Sequence, residues 1–196
     1  MKAMLYAAVS ALALTAAGTS QAASYTYSFT QLVGGEQVQP LATLTVEDVA
    51  GGARFTLQGD FASLGNASFL SRIEFNGPQG SVGAVSGNAV KKAPVYGAHV
   101  NASYDFDWEI AFPTSNKPGS DRFLSTDQAV WTITGSGVTA ASFDGTMMLH
   151  LQGVTELGDY SSIKVTAAVP EPETYALMLA GLAGVGLAAR RRQRVR

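Results

Sequence analysis

Tyr104-Asp105-Phe106-Asp107-Trp108-Glu109-Ile110-Ala111-Phe112 decides the fold of this chain. Apolar and acidic residues alternate through most of it. Successive side chains of an extended strand point to opposite faces, so this order gives one apolar face and one charged face only as a β-strand. Wound into a helix, the same residues would scatter around the whole circumference. Tyr104, Phe106, Trp108, Ile110 and Phe112 are therefore expected together in a core. Asp105, Asp107 and Glu109 are expected on a solvated face, about 6.5–7 Å apart, where water makes their repulsion tolerable.

Outward from this stretch the same period recurs. Tyr25, Tyr27 and Phe29 alternate with Thr26 and Ser28. The runs 41–46 and 54–57 flank Asp48-Val49-Ala50-Gly51-Gly52, and paired glycines between alternating runs predict a hairpin. Further strands are expected over 69–75, closed by Asn76-Gly77-Pro78, and over 130–134, 146–151 and 163–165. Clusters of Gly, Asn, Ser and Pro separate them. No stretch between residues 23 and 168 sustains a 3.6-residue period, although short helical turns fit near Leu64 or Gln128. The expected fold is all-β: a single β-sandwich, jelly-roll-like, of about eight to ten strands.

The two ends differ from the body. Lys2 precedes an apolar run from Met4 to Ala17, and Ser20-Gln21-Ala22 then offers small residues at the −3 and −1 positions. This is the plan of a signal peptide, expected as an N-terminal signal helix cleaved between Ala22 and Ala23. At the other end, Pro170-Glu171-Pro172 interrupts regular structure, because proline fixes φ and lacks a donor. An apolar run from Tyr175 to Ala189 is expected to form a C-terminal transmembrane helix, with Arg190, Arg191 and Arg192 as a cytoplasmic stop to translocation. At about 1.5 Å per residue the run reaches roughly 22 Å, short of a core of about 30 Å. Snorkelling arginines extend it. The chain thus divides into a signal peptide at 1–22, a β body at 23–168 and a sorting segment at 169–196.

That ending resembles the PEP-CTERM sorting signal of Gram-negative bacteria. The residues that carry the resemblance are Val169-Pro170-Glu171-Pro172, the run from Tyr175 to Ala189 with Gly181, Gly184 and Gly186, and Arg190-Arg191-Arg192. The resemblance implies recognition by an exosortase, a membrane protease-transpeptidase, after passage through the secretion translocon. It implies transient anchoring in the inner membrane and final delivery to the cell surface or an exopolysaccharide matrix, the setting of biofilm. Within the body, Phe112-Pro113-Thr114-Ser115-Asn116, Asp121-Arg122-Phe123 and Trp131-Thr132-Ile133-Thr134-Gly135 resemble a core that recurs in secreted proteins of this sorting class.

Charge and composition narrow the function classes. Between Ala23 and Val169 there are seven basic and thirteen acidic residues, a net charge of −6. An acidic body without a basic stripe argues against nucleic acid as a partner. The chain has no cysteine, so stability rests on packing rather than disulfides.

Each candidate for chemistry has a packing alternative. Asp105, Asp107 and Glu109 are candidate ligands of a Ca²⁺ site, or carboxylates of a glycosidase acid pair. As one solvated strand face they need neither role, and that reading is adopted. No EF-hand loop is present. A zinc site would need both histidines, His99 and His150, with a carboxylate. His150 lies between Leu149 and Leu151, so its side chain should point away from theirs as a surface or packed polar group. Gly135-Ser136-Gly137 lacks the spacing of a nucleophile elbow, and no phosphate-binding glycine loop occurs. Asn66-Ala67-Ser68 and Asn101-Ala102-Ser103 fit the glycosylation pattern but are read as loop asparagines.

Trp108 and Trp131 could form a platform for sugar rings, but alternating strands make them core residues first. The expected function is non-enzymatic and cofactor-free: a structural or adhesive protein of the surface or matrix. The alternatives are a carbohydrate-binding module for the matrix polysaccharide, favoured by exposed coplanar aromatics, and a polysaccharide hydrolase, favoured by two facing carboxylates in a cleft.

Overall fold

A computed structural model describes residues 22–83, 86–87, 95–101, 104–115, 121–143, 145–167 and 182. The expected signal helix, the transmembrane helix, the Pro-Glu-Pro triplet and the arginine cluster lie outside the described residues, apart from Ala22 and Leu182. No helix among the described residues is long and apolar enough to cross a membrane.

The body is all-β. Its strands are β1 (Ser24–Leu32), β2 (Ala42–Val49), β3 (Gly52–Gly59), β4 (Phe69–Phe75), β5 (Ser81–Val82), β6 (Ser86–Gly87), β7 (Val95–Asn101), β8 (Tyr104–Ala111), β9 (Gln128–Thr134), β10 (Met147–Gln152) and β11 (Ser162–Ala167). Short 3-10 turns occupy Ala62–Leu64 and Ala140–Phe143. The first turn falls where a helical turn near Leu64 fits the sequence. Gln128, the other such place, instead opens β9.

All pairing between named strands is antiparallel, and the order is β5-β9-β3-β2-β1-β11-β10-β4-β8-β7, with β6 also on β9. The hydrogen-bonded ladder is therefore one continuous curled sheet, where the sequence led us to expect a jelly-roll-like sandwich. The physical reason lies in β1. Residues 24–28 pair with β2, whereas Phe29, Gln31 and Leu32 pair with β11, and the register shifts between Phe29 and Gln31. Such an irregularity bends a strand and increases its twist, so β1 serves both halves of the sheet.

The curl brings the inner faces of the two halves together. Phe55 of β3 stacks on Trp131 of β9 at 5.2 Å and meets Phe75 of β4 at 5.4 Å. Phe75 lies 6.3 Å from Trp108 of β8. The Ala140–Phe143 turn caps this aromatic stack: Phe143 packs edge-on against Phe55, and its carbonyl accepts a hydrogen bond from the Tyr27 hydroxyl at 2.7 Å. Both tryptophans are fully buried, so neither is a sugar platform.

The β2–β3 hairpin forms as expected, with Val49 opposite Gly52. Gly51 takes φ +74°, a left-handed value suited to glycine. Gly52 is required for a second reason: a Cβ there would lie 2.2 Å from the carbonyl oxygen of Ile133 on β9.

Candidate functional site

In β8 the alternation holds. Phe106, Trp108, Ile110 and Phe112 are buried, Tyr104 is half-buried, and Asp105 is exposed. Asp107 and Glu109 are only half-buried, which corrects the expectation of a fully solvated acidic face. Each is held in structure. The Asp107 carboxylate accepts a hydrogen bond from the backbone of Gly77 at 3.0 Å, and its own amide donates to Asn76 at 3.1 Å. With the Trp108 indole donating to the carbonyl of Pro78 at 3.1 Å, these bonds pin the segment after β4. Glu109 accepts from Arg72 Nη1 at 3.5 Å. Among the described residues no group of three or more His, Asp or Glu is arranged to hold a metal ion.

The structure adds a carboxylate that sequence reasoning missed. Glu74 of β4 stands opposite Glu109 of β8 and is 2% exposed. Arg72 reaches both, with Nε 3.9 Å from Glu74 and Nη1 3.5 Å from Glu109. The available signal was the outward pair Arg72-x-Glu74 within a strand whose Ile73 and Phe75 face inward. Its pairing with the acidic side of β8 is tertiary.

His150 of β10 lies in register between Lys164 of β11 and Arg72 of β4. Leu149 and Leu151 are buried and His150 is half-buried on the other face, as alternation requires. Burial lowers its pKa below the usual histidine value, and the charges of Arg72 and Lys164 lower it further. The imidazole is then neutral near pH 7. Its Nδ1 and Arg72 Nε are buried without hydrogen-bond partners among the described residues. The other histidine, His99, lies in β7 with its backbone in register with Phe106, so the two are not brought into one described site.

The lowered pKa has a measurable consequence. The unfolded chain takes up a proton near pH 6.5, before the folded chain does. Folding stability should therefore be unaffected by His150 above about pH 6.5 and fall as pH drops towards the folded pKa. Melting temperature followed from pH 7.5 to pH 5 should decline more steeply in the wild type than in His150→Gln. Parallel curves would contradict this account.

His150 also separates two clefts on the outer face. One, of about 290 Å³, lies between the turn after β1, with Val33, Gly34 and Glu36, and the segment before β11, with Tyr160. The other, of about 330 Å³, is lined by Arg72, Glu109, Thr114 and Gln152 among others. Both walls of the first cleft are fastened. Val33 donates to the carbonyl of Lys164 at 2.9 Å, and Leu32 to that of Glu36 at 2.8 Å. On the opposite wall the Tyr160 amide donates to the carbonyl of Leu157 at 3.3 Å. Tyr160, 55% exposed, stands on that wall. Arg122 caps the ring of Phe69 at 4.5 Å nearby.

Ala22 and Ala23, the expected cleavage position, directly precede β1; Ala22 is exposed and Ala23 half-buried.

Residues 168–192 match the family model described as the PEP-CTERM protein-sorting motif. The chain carries a PEP-CTERM sorting motif. The motif implies export, interaction with an exosortase during processing, and exosortase-dependent sorting to the cell surface. The match takes in the triplet Pro170-Glu171-Pro172 and the arginines Arg190, Arg191 and Arg192, and it stops short of β11. No curated protein and no solved structure matches the chain. None of these comparisons reaches the body segments 112–116, 121–123 and 131–135. Phe112 and Phe123 meet at 5.0 Å, and Trp131 lies in the central aromatic stack.

Proposed function

We propose that this chain is a non-enzymatic β domain, freed of its leader after Ala22, held briefly in the inner membrane and released to the surface or matrix for a structural or adhesive role. The sorting motif at 168–192 is the observation that carries this reading. The acidic residues of the body support it. Asp107 is engaged by backbone, and the facing pair Glu74 and Glu109 shares Arg72, which offsets part of their charge. Cell fractionation tests the delivery: with an exosortase the domain should leave the inner membrane, and without one it should stay.

The cleft beside Tyr160 favours a second reading, binding of an uncharged saccharide. The exposed tyrosine offers a ring face to the apolar side of a sugar, and charged groups of both signs offer partners to hydroxyls. Around the two clefts, Lys164 and Arg72 balance Glu36 and Glu109, which selects no net charge. The cleft volume is near the lower end of the roughly 300–1,000 Å³ of ligand pockets. Titration calorimetry with glucose, N-acetylglucosamine and uronic-acid hexasaccharides should show binding of a neutral hexamer. Tyr160→Ala should weaken it by about tenfold, or 1.4 kcal/mol. Tyr96→Ala, on the edge strand β7, should not. Absence of binding, or a dominant salt-sensitive uronate, would defeat this reading.

A further inference from the structure

The contact at the start of the body is built around a carboxylate. The Ala23 amide nitrogen lies 3.2 Å from Asp48 Oδ2, and the Asp48 amide donates to the Ala23 carbonyl at 2.9 Å. The other carboxylate oxygen, Oδ1, accepts from the Ala140 amide at 2.6 Å. Asp48 thus ties the entry to β1 to the turn that caps the aromatic stack.

We propose that Asp48 is a preformed acceptor for a new N-terminal ammonium at Ala23. The proposal rests on cleavage after Ala22. Hydrolysis of that peptide bond consumes one water, leaves a carboxylate on Ala22 and frees the nitrogen of Ala23 as an amine that takes up a proton. The group facing Asp48 then changes from a neutral amide with one N–H to a cation with three. A hydrogen bond becomes an ion pair, and charge-assisted bonds are the stronger class. Leader removal would in this way tighten the contact that starts the sheet, so the processed domain is more firmly folded than its precursor.

Asp48 faces Ala53 across β2 and β3. Glu47 and Arg54 are register partners on the alternate face of the same two strands. The 3-10 turn has no acidic residue in its first turn and no basic residue in its last.

The test compares chains running from Ala23 to Arg196 with a free or an acetylated Ala23 nitrogen. Acetylation removes the charge and keeps an N–H. The pairing raises the α-amino pKa in the folded state above its unfolded value of about 7.7–8.0. A raised pKa gives stability that is complete below about pH 8 and lost as pH rises through the folded value. The free-amine chain should therefore melt at a higher temperature at pH 7, and the two melting curves should converge at high pH. Lysine and tyrosine titration is common to both chains and cancels in the difference. In an Asp48→Asn background the difference should vanish. Coincident curves, or a difference that survives Asp48→Asn, would overturn the proposal. N-terminal sequencing of the exported protein tests the cleavage separately: a start other than Ala23 would defeat that reading while leaving the pairing measurement valid.

Discussion

Phe55→Ala should lower the free energy of unfolding by about 3–5 kcal/mol, the range for deleting a large buried aromatic side chain. Phe55 is 0% exposed and sits where both halves of the sheet and the capping turn meet. Its ring stacks on Trp131 at 5.2 Å and 7°, meets Phe75 at 5.4 Å, and receives Phe143 edge-on at 4.8 Å. The hole left by alanine cannot close easily. β3 is bonded to β2 and β9, and β4 to β10 and β8, so neither can shift without breaking a ladder. Against a total stability of about 5–15 kcal/mol, the loss leaves the domain near its limit. Phe106→Ala should cost less. Phe106 is 1% exposed but lies outside the central cluster and stacks on the half-buried Tyr104 at 5.7 Å. Urea denaturation of the two variants decides the matter. A Phe55→Ala protein within 1 kcal/mol of wild type would show that the halves do not share one core.

Replacing Pro170, Glu171 and Pro172 together with alanine should change the fate of the chain and leave the body unaltered. The triplet follows β11, whose last residue is Ala167, and lies inside the matched sorting motif. None of the three is among the described core residues, which the substitutions leave intact. If an exosortase reads the triplet, the full-length chain should accumulate in the inner membrane and the surface fraction should be lost. Mass spectrometry of the C-terminal peptide in each fraction gives the answer. Normal delivery and trimming of the variant would mean that the triplet is not what the processing enzyme reads. Thermal melting of the variant should match the wild type, which separates failed sorting from failed folding.

Much of the fold was legible because alternation is a local property of extended backbone. The runs around Tyr27, Leu44, Phe55, Ile73, Trp108, Trp131, Leu149 and Val165 all became strands, with the apolar member of each pair inside. Three strands were not legible. β5 and β6 have two residues each, too few to show a period. β7 carries Gly97 at φ +140° and a register shift between Tyr96 and His99, which breaks the alternation that a reader would count. The sorting motif was legible in full, since a linear address is read along the chain.

The sequence by itself determined the class of fold, the inward and outward residues of most strands, and the sorting address. It did so because strand faces and linear motifs depend only on near neighbours. Only the tertiary structure decided the rest. β1 became shared by both halves of the sheet through pairing with β2 and β11, and β11 lies more than a hundred residues away. The same long-range pairing set Arg72 between Glu74 and Glu109, set His150 between Arg72 and Lys164, and brought Ala23 to Asp48. Which distant strands pair depends on the apolar area they bury together, and no local pattern encodes that choice.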